Sequence, residues 1–209
     1  MERQQNHWDK LYSTKQSEEL SWTQEVPKTS LDFLHNAHLD KSASIIDIGG
    51  GDSKLVDFLL DEGYENITVL DISEQALIRA RQRLGDKAAK INWIVSDITE
   101  FHPTTSYDFW HDRATFHFLT TKPQIVKYLS IARHTVKEYG YVTIGTFSKD
   151  GPLKCSGLEV KRYSEENLTS ELENGFEKIK CITEDHKTPF NTTQNFLFCS
   201  FKRHDNRQI

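Results

Sequence analysis

Short apolar runs alternate with amphipathic stretches along the middle of this chain. The amphipathic stretches place apolar residues at helical spacing, as Leu55, Val56 and Leu59 do, and Ser73 fits the N-cap of a second helix. A stripe of apolar residues predicts a third helix over Lys122–Glu138. The apolar runs that predict strands are Ser44–Ile48, Asn66–Ile72, Ile91–Ile98, Tyr107–Arg113 and Gly140–Phe147. Strands separated by helices of this length indicate βαβ units and a parallel sheet.

The last third of the chain follows a different pattern. A short helix is predicted over Ser164–Asn174, and Gly175 stops it before a strand over Phe176–Asp185. Asn195–Lys202 is apolar on both faces, which is typical of a strand in the middle of a sheet. We therefore expect the chain to insert its last strand inward, while residues 1–40 form a helical cap.

The composition predicts a globular protein with one substantial core. The chain has 209 residues, and 26 basic against 31 acidic side chains give a formal charge of −5. This acidity argues against a nucleic-acid partner. No apolar run reaches the roughly 18 residues of a membrane span, so we expect no membrane partner. The first ten residues lack the apolar core of a signal peptide, so we expect a cytoplasmic protein.

Three cysteines, Cys155, Cys181 and Cys199, are widely spaced along the chain. Their odd number and the lack of a CxxC pair argue against a disulfide framework and against a cysteine-based zinc site. We therefore expect three reduced thiols, which suits a cytoplasmic protein.

Three consecutive glycines, Gly49, Gly50 and Gly51, join the first predicted strand to the first predicted helix. Glycine permits positive φ and lets a ligand approach the backbone, and the helix beyond it begins with unpaired N–H groups. The dinucleotide motif GxGxxG is not matched because Lys54 stands at its third glycine, and no P-loop GK[ST] follows. A ligand-binding turn is the preferred interpretation, and a tight turn without a ligand is the alternative.

Three predicted strands in series contain the same dipeptide near their ends: Asp47 with Ile48, Asp71 with Ile72, and Asp97 with Ile98. These acids would line up along the carboxyl edge of the sheet, where open α/β folds bind their ligands. Asp71 lies 20 residues after Gly51, at the distance where an acid accepts the ribose hydroxyls of a nucleoside ligand. Asp97 could accept from an exocyclic amine, whereas capping of the next helix is the alternative for Asp71.

With these motifs in this order, residues 20–202 resemble a class I S-adenosylmethionine-dependent methyltransferase. The resemblance implies an α/β fold with a Rossmann-like, doubly wound sheet of seven strands and helices on both faces. The sheet is expected to be mostly parallel, with an antiparallel last strand inserted. Residues 41–209 are then the S-adenosylmethionine-binding domain, and residues 1–40 are its N-terminal helical cap.

The resemblance also implies which residues bind this cofactor. Asp47, Gly49, Gly50 and Gly51 are expected around the methionine moiety and the ribose, Asp71 at the ribose hydroxyls, and Asp97 at the adenine amine, with Ile72 and Ile98 beside the ring. The aromatic residues Trp8, Tyr12 and Trp22 resemble the segment that closes over the cofactor. The run DIGGGDS departs from the family pattern DxGxGxG because Ser53 takes the last glycine position.

Candidate catalytic residues lie at the end of the fourth predicted strand, which is expected to face the sulfonium. His111, Asp112 and His117 are candidates for a base, and Arg113 can hold an anionic substrate bidentately. The alternative is a structural pair of Asp112 with Arg113 and a His117 that is packed in a helix. Methyl transfer displaces a neutral leaving group, so positioning and desolvation can supply most of the catalysis.

Cys155 and His186 are further candidates for substrate contact, together with Arg113 and His117. A basic neighbour can lower the pKa of the Cys155 thiol, whereas an inert, partly buried thiol is the alternative. No pair of these side chains has metal-ligand spacing, so no metal site is predicted.

We therefore predict an enzyme that transfers the methyl group of S-adenosylmethionine to a small-molecule acceptor, as a monomer or a homodimer. A protein lysine methyltransferase is the runner-up, and it would need an open acidic groove. A thiol or metalloid methyltransferase that uses Cys155 is a further alternative, as is a cofactor-binding protein without transfer activity. The sequence names neither the acceptor nor its attacking atom.

Overall fold

The computed structural model describes residues 2–204 of the chain. The α-helices are α1 (Glu2–Thr14), α2 (Lys28–His35), α3 (Leu55–Asp61), α4 (Glu74–Leu84), α5 (Lys122–Thr135) and α6 (Glu165–Leu172). The strands are β1 (Ser44–Ile48), β2 (Asn66–Asp71), β3 (Ile91–Val95), β4 (Tyr107–Arg113), β5 (Val136–Phe147), β6 (Lys154–Cys155), β7 (Leu158–Glu159), β8 (Phe176–Lys187) and β9 (Thr193–Arg203). Within residues 2–204, no helix combines the length and the apolar character that crossing a membrane requires.

Seven strands form one sheet in the order β3-β2-β1-β4-β5-β9-β8. The first five strands along the chain pair in parallel, and β9 runs antiparallel to both β5 and β8. The last strand is therefore inserted between two earlier ones, which confirms the predicted fold class. β6 and β7 pair with each other as a short hairpin in the connection between β5 and α6.

Helices cover both faces of the sheet because neighbouring residues of each strand point to opposite faces. On β1, Ile45 belongs to the core that includes residues of α2, α3 and α4, whereas Ile46 belongs to the core that includes residues of α5 and α6. Phe109 and Trp110 of β4 divide between the two cores in the same way. This double burial explains why β1 and β4 carry apolar residues on both faces.

The inserted strand β9 shows the same alternation. Phe196 and Phe198 are buried in one cluster, and Leu197 and Phe201 are buried in another. A strand with two buried faces needs a neighbour on each side, because exposing either its backbone or one of these faces would be costly. The position of β9 between β5 and β8 meets that need.

Several element boundaries differ from those predicted, among them the junction of α5 with β5 and the end of β3. α5 ends at Thr135 and β5 begins at Val136, whereas the apolar stripe placed Val136 in the helix. Val136 has an extended backbone and is fully buried, which suits a β-branched residue. β3 ends at Val95, and Asp97 is the N-cap of a short 3₁₀-helix that begins at Ile98.

Cys181 and Cys199 form a disulfide, which corrects the prediction of three reduced thiols. The antiparallel register places Cys181 of β8 directly opposite Cys199 of β9. Spacing along the chain gives no sign of this pairing, because it depends on which residues face each other across two strands. Cys155 is the free thiol of the described residues, and it is buried.

The N-terminal segment is joined to the rest of the fold through α2 and through Asp9, among other contacts. Leu31 and Leu34 of α2 are buried in the core that includes α3 and α4. The Asp9 carboxylate of α1 accepts hydrogen bonds from the Ser73 hydroxyl and from the backbone N–H of Gln75, at 2.7 and 3.2 Å. Asp9 thus places a negative charge at the start of α4, where the helix dipole favours one.

Candidate functional site

A cavity lies at the carboxyl ends of the parallel strands, beside the point where the strand order reverses between β1 and β4. Ligands of open α/β sheets bind at such a point. We call it the edge cavity. Part of its lining follows β2 and β3: Leu70, Asp71, Ile72, Ser96, Asp97 and Ile98. Another part comes from α1, the segment after it, β4 and the β6–β7 hairpin: Trp8, Tyr12, Trp22, Arg113, Cys155 and Leu158.

The three glycines turn the chain from β1 toward α3, and Gly49 lines the edge cavity, whereas Gly50 and Gly51 do not. Gly49 and Gly51 have φ values of +64° and +49°, in the left-handed region that favours glycine. A Cβ at Gly49 would lie 1.7 Å from Thr115 Oγ1 and would collide with it. A Cβ at Gly51 would lie 2.9 Å from the Tyr12 hydroxyl and 3.2 Å from Asp71 Oδ2. A side chain at Gly51 would therefore crowd Tyr12 and Asp71.

Asp71 ends β2 and is buried at the edge cavity. Its Oδ1 accepts a hydrogen bond of 2.7 Å from the backbone N–H of Ser73. Burial raises the pKa of Asp71 to about 7, although hydrogen bonds from the backbone of Ser73 and Gly51 oppose the rise. A carboxylate has about four acceptor sites, so Asp71 can still accept hydrogen bonds from a ligand.

The Asp97 carboxylate lines the edge cavity and also accepts hydrogen bonds from the protein. Its Oδ1 accepts hydrogen bonds from the backbone N–H and the hydroxyl of Thr99, both at 2.8 Å. This is a capping arrangement, and it leaves Oδ2 for a ligand donor. Ile72 and Ile98 line the same cavity and provide apolar walls beside the two acids.

Asp47 and His111 form a buried pair that supports the glycine loop. Asp47 Oδ1 lies 2.7 Å from His111 Nδ1, and His111 Nε2 lies 2.9 Å from Ser30 Oγ on α2. A Cβ at Gly50 would lie 2.7 Å from Asp47 Oδ2, so this carboxylate is in close contact with the loop. Because both ring nitrogens of His111 have partners, its placement favours holding Asp47 in position over acting as a base.

Asp112 points away from the edge cavity and into the core under α5. Its Oδ1 accepts hydrogen bonds from the backbone N–H groups of Thr115 and Phe116, and its Oδ2 accepts one of 2.7 Å from the Tyr128 hydroxyl. The Trp110 indole N–H in turn donates to the Tyr128 hydroxyl. Burial raises the pKa of Asp112 to about 6. This network fixes the turn after β4, which favours a structural role for Asp112.

His117 and His186 are buried and line neither the edge cavity nor the second cavity described below. His117 Nδ1 accepts the Phe147 backbone N–H at 3.3 Å, and burial lowers the pKa of His117 to about 3. A ring that is neutral and enclosed in this way favours packing over proton transfer. His186 Nε2 donates to the Ser21 carbonyl at 2.7 Å, so it fastens the N-terminal segment to β8.

Arg113 and Cys155 do line the edge cavity, as their predicted substrate contact requires. Arg113 Nη1 donates to the Trp22 carbonyl at 2.9 Å. Burial lowers the pKa of Arg113 to about 10, so the guanidinium remains charged at neutral pH. Burial raises the pKa of the Cys155 thiol to about 11, which outweighs the opposing effect of Arg113. The inert-thiol alternative therefore describes Cys155 better than a thiolate does.

Aromatic rings cover the edge cavity from α1 and the segment that follows it. The Trp8 ring lies 5.9 Å from the Trp22 ring and 5.2 Å from the Phe118 ring, both nearly edge-on. Tyr12 lies beneath them, with the Arg79 guanidinium 5.7 Å from its ring centre. Sequence reasoning missed Phe118, although its position just after β4 was a usable signal.

A second cavity, which we call the loop cavity, borders the glycine loop. Its lining includes Ser17, Glu25, Asp47, Gly50, Asp52 and Lys54. Tyr12, Trp22, Gly49 and Arg113 line both cavities, so the two adjoin. Four acids line the loop cavity, and three of them have partners: Lys54 pairs with Glu25, Arg79 lies 3.4 Å from Asp52, and Asp47 is paired with His111. Glu18 is the fourth acid.

Residues 45–140, which contain the glycine loop and all three acids, match the family model described as a methyltransferase domain. The chain is 30% identical over 108 residues to malonyl-[acyl-carrier protein] O-methyltransferase 2 of Ilyobacter polytropus, which covers 51% of this chain and 40% of that protein. It is 23% identical over 131 residues to the eEF1A lysine and N-terminal methyltransferase of Mus musculus, covering 61% of this chain and 18% of that protein. The chain therefore spans less than half the length of these relatives.

The whole fold is similar to solved structures. One is 1,6-didemethyltoxoflavin-N1-methyltransferase of Burkholderia thailandensis with bound 1,6-didemethyltoxoflavin and S-adenosylhomocysteine. Its TM-score is 0.69 at 18% identity, and the match covers 97% of this chain and 85% of that chain. The methyltransferase domain and the strand order with its inserted antiparallel strand agree. Residues 45–140 therefore match a methyltransferase domain, and the chain has the fold of solved S-adenosylmethionine-dependent methyltransferases.

Proposed function

We propose that this chain binds S-adenosylmethionine in the edge cavity and transfers its methyl group to a small-molecule acceptor. The observation that carries the proposal is the meeting of the glycine loop, Asp71 and Asp97 at one cavity beside the strand-order reversal. The methyltransferase-domain match and the named methyltransferases among the relatives support it.

The residues present fit this cofactor. Gly49 lines the edge cavity, and Gly51 carries no Cβ that would crowd Asp71, so a ribose can approach the loop backbone. Asp71 would accept the ribose hydroxyls, and Asp97 Oδ2 would accept the adenine amine. Ile72 and Ile98 would flank the ring. When bound, S-adenosylmethionine supplies a methyl group that is activated by its attachment to a sulfonium.

The chain contributes positioning and the exclusion of water more than proton transfer. Trp8, Trp22 and Phe118 shield the cavity, and aromatic faces favour a cationic centre. No histidine is among the described residues that line the edge cavity. The acids of this lining, Asp71 and Asp97, are assigned to the cofactor, so the proposed acceptor attacks with a lone pair that is already available at neutral pH.

Protein lysine methylation is the second candidate, supported by the acids of the loop cavity and by the similarity to the eEF1A methyltransferase. The pairing of Glu25 with Lys54 and of Asp52 with Arg79 weakens this candidate, because those acids are already neutralised. Thiol methylation that uses Cys155 as a nucleophile is weaker still, because burial raises the pKa of that thiol.

Calorimetric titration with S-adenosylhomocysteine tests whether the chain binds this cofactor. Binding of S-adenosylhomocysteine is expected, and Asp71→Ala should weaken it by ten- to a hundred-fold, since a lost hydrogen bond to a charged acceptor costs roughly 1.5–3 kcal/mol. Asp150→Ala, which removes an exposed acid outside both cavities, is the matched control. Tight binding of NAD with no binding of S-adenosylhomocysteine would refute the cofactor assignment.

Transfer of a labelled methyl group into an extract of the source cells tests the acceptor class. We expect the label in the small-molecule fraction. Label found only in protein would reject the small-molecule proposal and support lysine methylation. No label in either fraction, together with intact cofactor binding, would favour a cofactor-binding protein without transfer activity.

A further inference from the structure

Arg113 is the positively charged side chain among the described residues that line the edge cavity. The acids in the same lining, Asp71 and Asp97, have partners and roles on the adenosine side. Arg113 is the last residue of β4, so it lies at the strand end where the acceptor must approach the methyl group. A single cation in an otherwise aromatic and aliphatic part of the lining is suited to binding an anionic group of a ligand.

The guanidinium of Arg113 has unused donors. Nη1 donates to the Trp22 carbonyl, but Nε and Nη2 are buried and have no acceptor in residues 2–204. A buried donor without an acceptor costs free energy, and the cost is larger for a charged group. A ligand that supplies two acceptor atoms would remove this cost.

Nearby protein groups balance the charge of Arg113 without using these donors. Glu184 of β8 and Asp47 are close enough to favour the charged form. Glu184 Oε2 accepts a hydrogen bond from the Thr29 hydroxyl, whereas Glu184 Oε1 is buried and has no hydrogen-bond partner in residues 2–204, so it is not bonded to Arg113 either. Asp47 is paired with His111. The Arg113 guanidinium also lies 4.8 Å from the centre of the Phe196 ring, which supports one of its faces.

We infer that the acceptor carries a carboxylate, and that Arg113 binds this carboxylate through its free Nε and Nη2 donors. The inference rests on the proposed function. A planar carboxylate matches two parallel N–H groups of one guanidinium. A phosphate dianion fits less well, because the cavity offers a single cation and two acids. The rings of Trp22 and Phe118 and the side chain of Leu158 suit an apolar or aromatic body for the same molecule.

The same donors could instead serve the carboxylate of the cofactor's methionine moiety, because Arg113 also lines the loop cavity. The two sources are separable by calorimetry on Arg113→Gln. If Arg113 serves the acceptor, the affinity for S-adenosylhomocysteine stays within about threefold of wild type. A loss of more than about tenfold for S-adenosylhomocysteine, with unchanged affinity for 5′-methylthioadenosine, would assign Arg113 to the cofactor and overturn the inference.

A direct probe needs no knowledge of the acceptor. Protein saturated with S-adenosylhomocysteine is titrated with sodium acetate at constant ionic strength, and the Arg113 Nε–H resonance is followed by NMR. Its assignment comes from its absence in Arg113→Lys. We expect a saturable shift with acetate and none with acetamide. No shift with acetate would overturn the inference.

The acceptor itself gives the decisive test. Small-molecule extract is passed over an anion-exchange resin at neutral pH before labelled methyl transfer. A carboxylate acceptor should be retained and then released at about pH 2.5, below the ordinary carboxyl pKa. An acceptor that passes through the resin at neutral pH would overturn the inference. So would an acceptor that stays bound at the acidic pH, as a phosphate does. No product from untreated extract would instead count against the proposed function.

Variants of Arg113 provide an independent test of the carboxylate contact. Arg113→Gln should lower kcat/KM for the recovered acceptor at least a hundredfold, and Arg113→Lys should recover only part of this loss because lysine lacks the paired donors. Arg81→Gln, on α4 beside Trp93 and outside both cavities, should behave as wild type. Equal kcat/KM for Arg113→Gln and wild type would contradict a carboxylate contact.

Discussion

Replacing Asp71 with asparagine should make the protein more stable at pH 8 while weakening its cofactor binding. Burial raises the pKa of Asp71 from 3.8 to about 7. The folded protein therefore holds this proton more tightly than the unfolded chain does. The resulting stabilisation is fully present below about pH 4 and is lost as the pH rises through about 7.

The size of this effect follows from the shift. One pKa unit corresponds to about 1.4 kcal/mol, so the ionisation of Asp71 removes about 4 kcal/mol of stability by pH 8. Asparagine does not titrate, and its amide oxygen can still accept the hydrogen bond from Ser73. The pH-dependent loss should therefore disappear in Asp71→Asn, apart from a constant difference that reflects the new amide group.

Urea unfolding of both proteins at several pH values between about pH 4 and pH 8 measures how the free energy of unfolding depends on pH. The free energy of unfolding of Asp71→Asn minus that of wild type should grow by about 4 kcal/mol across the range. Asp150→Asn controls for the loss of one negative charge, because Asp150 is exposed and lies outside both cavities. If the free energies of unfolding of Asp71→Asn and wild type differ by the same amount at every pH, Asp71 does not have a raised pKa in the folded protein.

The same variant predicts a change in cofactor binding. In wild type, the affinity for S-adenosylhomocysteine should fall as the pH drops through about 7, because a protonated Asp71 is a weaker acceptor for the ribose hydroxyls. Asp71→Asn should bind weakly at every pH and lose this dependence. An unchanged affinity at pH 8 would contradict the assigned contact.

Three further perturbations test other parts of the fold. Gly49→Ala should cost about 3–5 kcal/mol in urea unfolding, because the added Cβ meets Thr115 at an unfavourable φ, whereas Gly63→Ala, which has a positive φ and open space, should cost only about 1–2 kcal/mol. Equal losses would argue against the collision. Tyr128→Phe should cost about 2–4 kcal/mol, since it leaves a buried indole N–H and a buried carboxylate short of a partner. Reduction of the β8–β9 disulfide, which closes a loop of 18 residues, should lower the free energy of unfolding by about 3 kcal/mol, and unfolding that does not respond to reductant would count against the bond.

The sheet was predictable because burial on two faces leaves a strong pattern. Ser44–Ile48 and Tyr107–Arg113 were predicted with the bounds that the structure shows. Asn195–Lys202 was predicted to be internal, and β9 lies between two neighbours. Each of these strands has buried apolar residues on both faces, which is typical of the interior of a covered sheet.

The directions of the side chains after β4 were not predictable in the same way. His111, Asp112 and Arg113 are consecutive, and the sequence placed all three at the strand end. His111 contacts α2, Asp112 faces the core under α5, and Arg113 reaches the cavity. Which face of a strand borders a ligand depends on helices that are distant in sequence. The pairing of Cys181 with Cys199 escaped prediction for a related reason, because it depends on the register of two strands.

The two halves of the edge cavity differ in how firmly they are tied to the sheet. The half that fits the adenosine of the cofactor follows β2 and β3 directly, whereas the other half draws on α1 and the β6–β7 hairpin. Neither of those two elements belongs to the seven-stranded sheet. Under the proposed function, substitutions in α1 and the hairpin would therefore change which acceptor fits, while the ends of β2 and β3 would keep the proposed cofactor contacts.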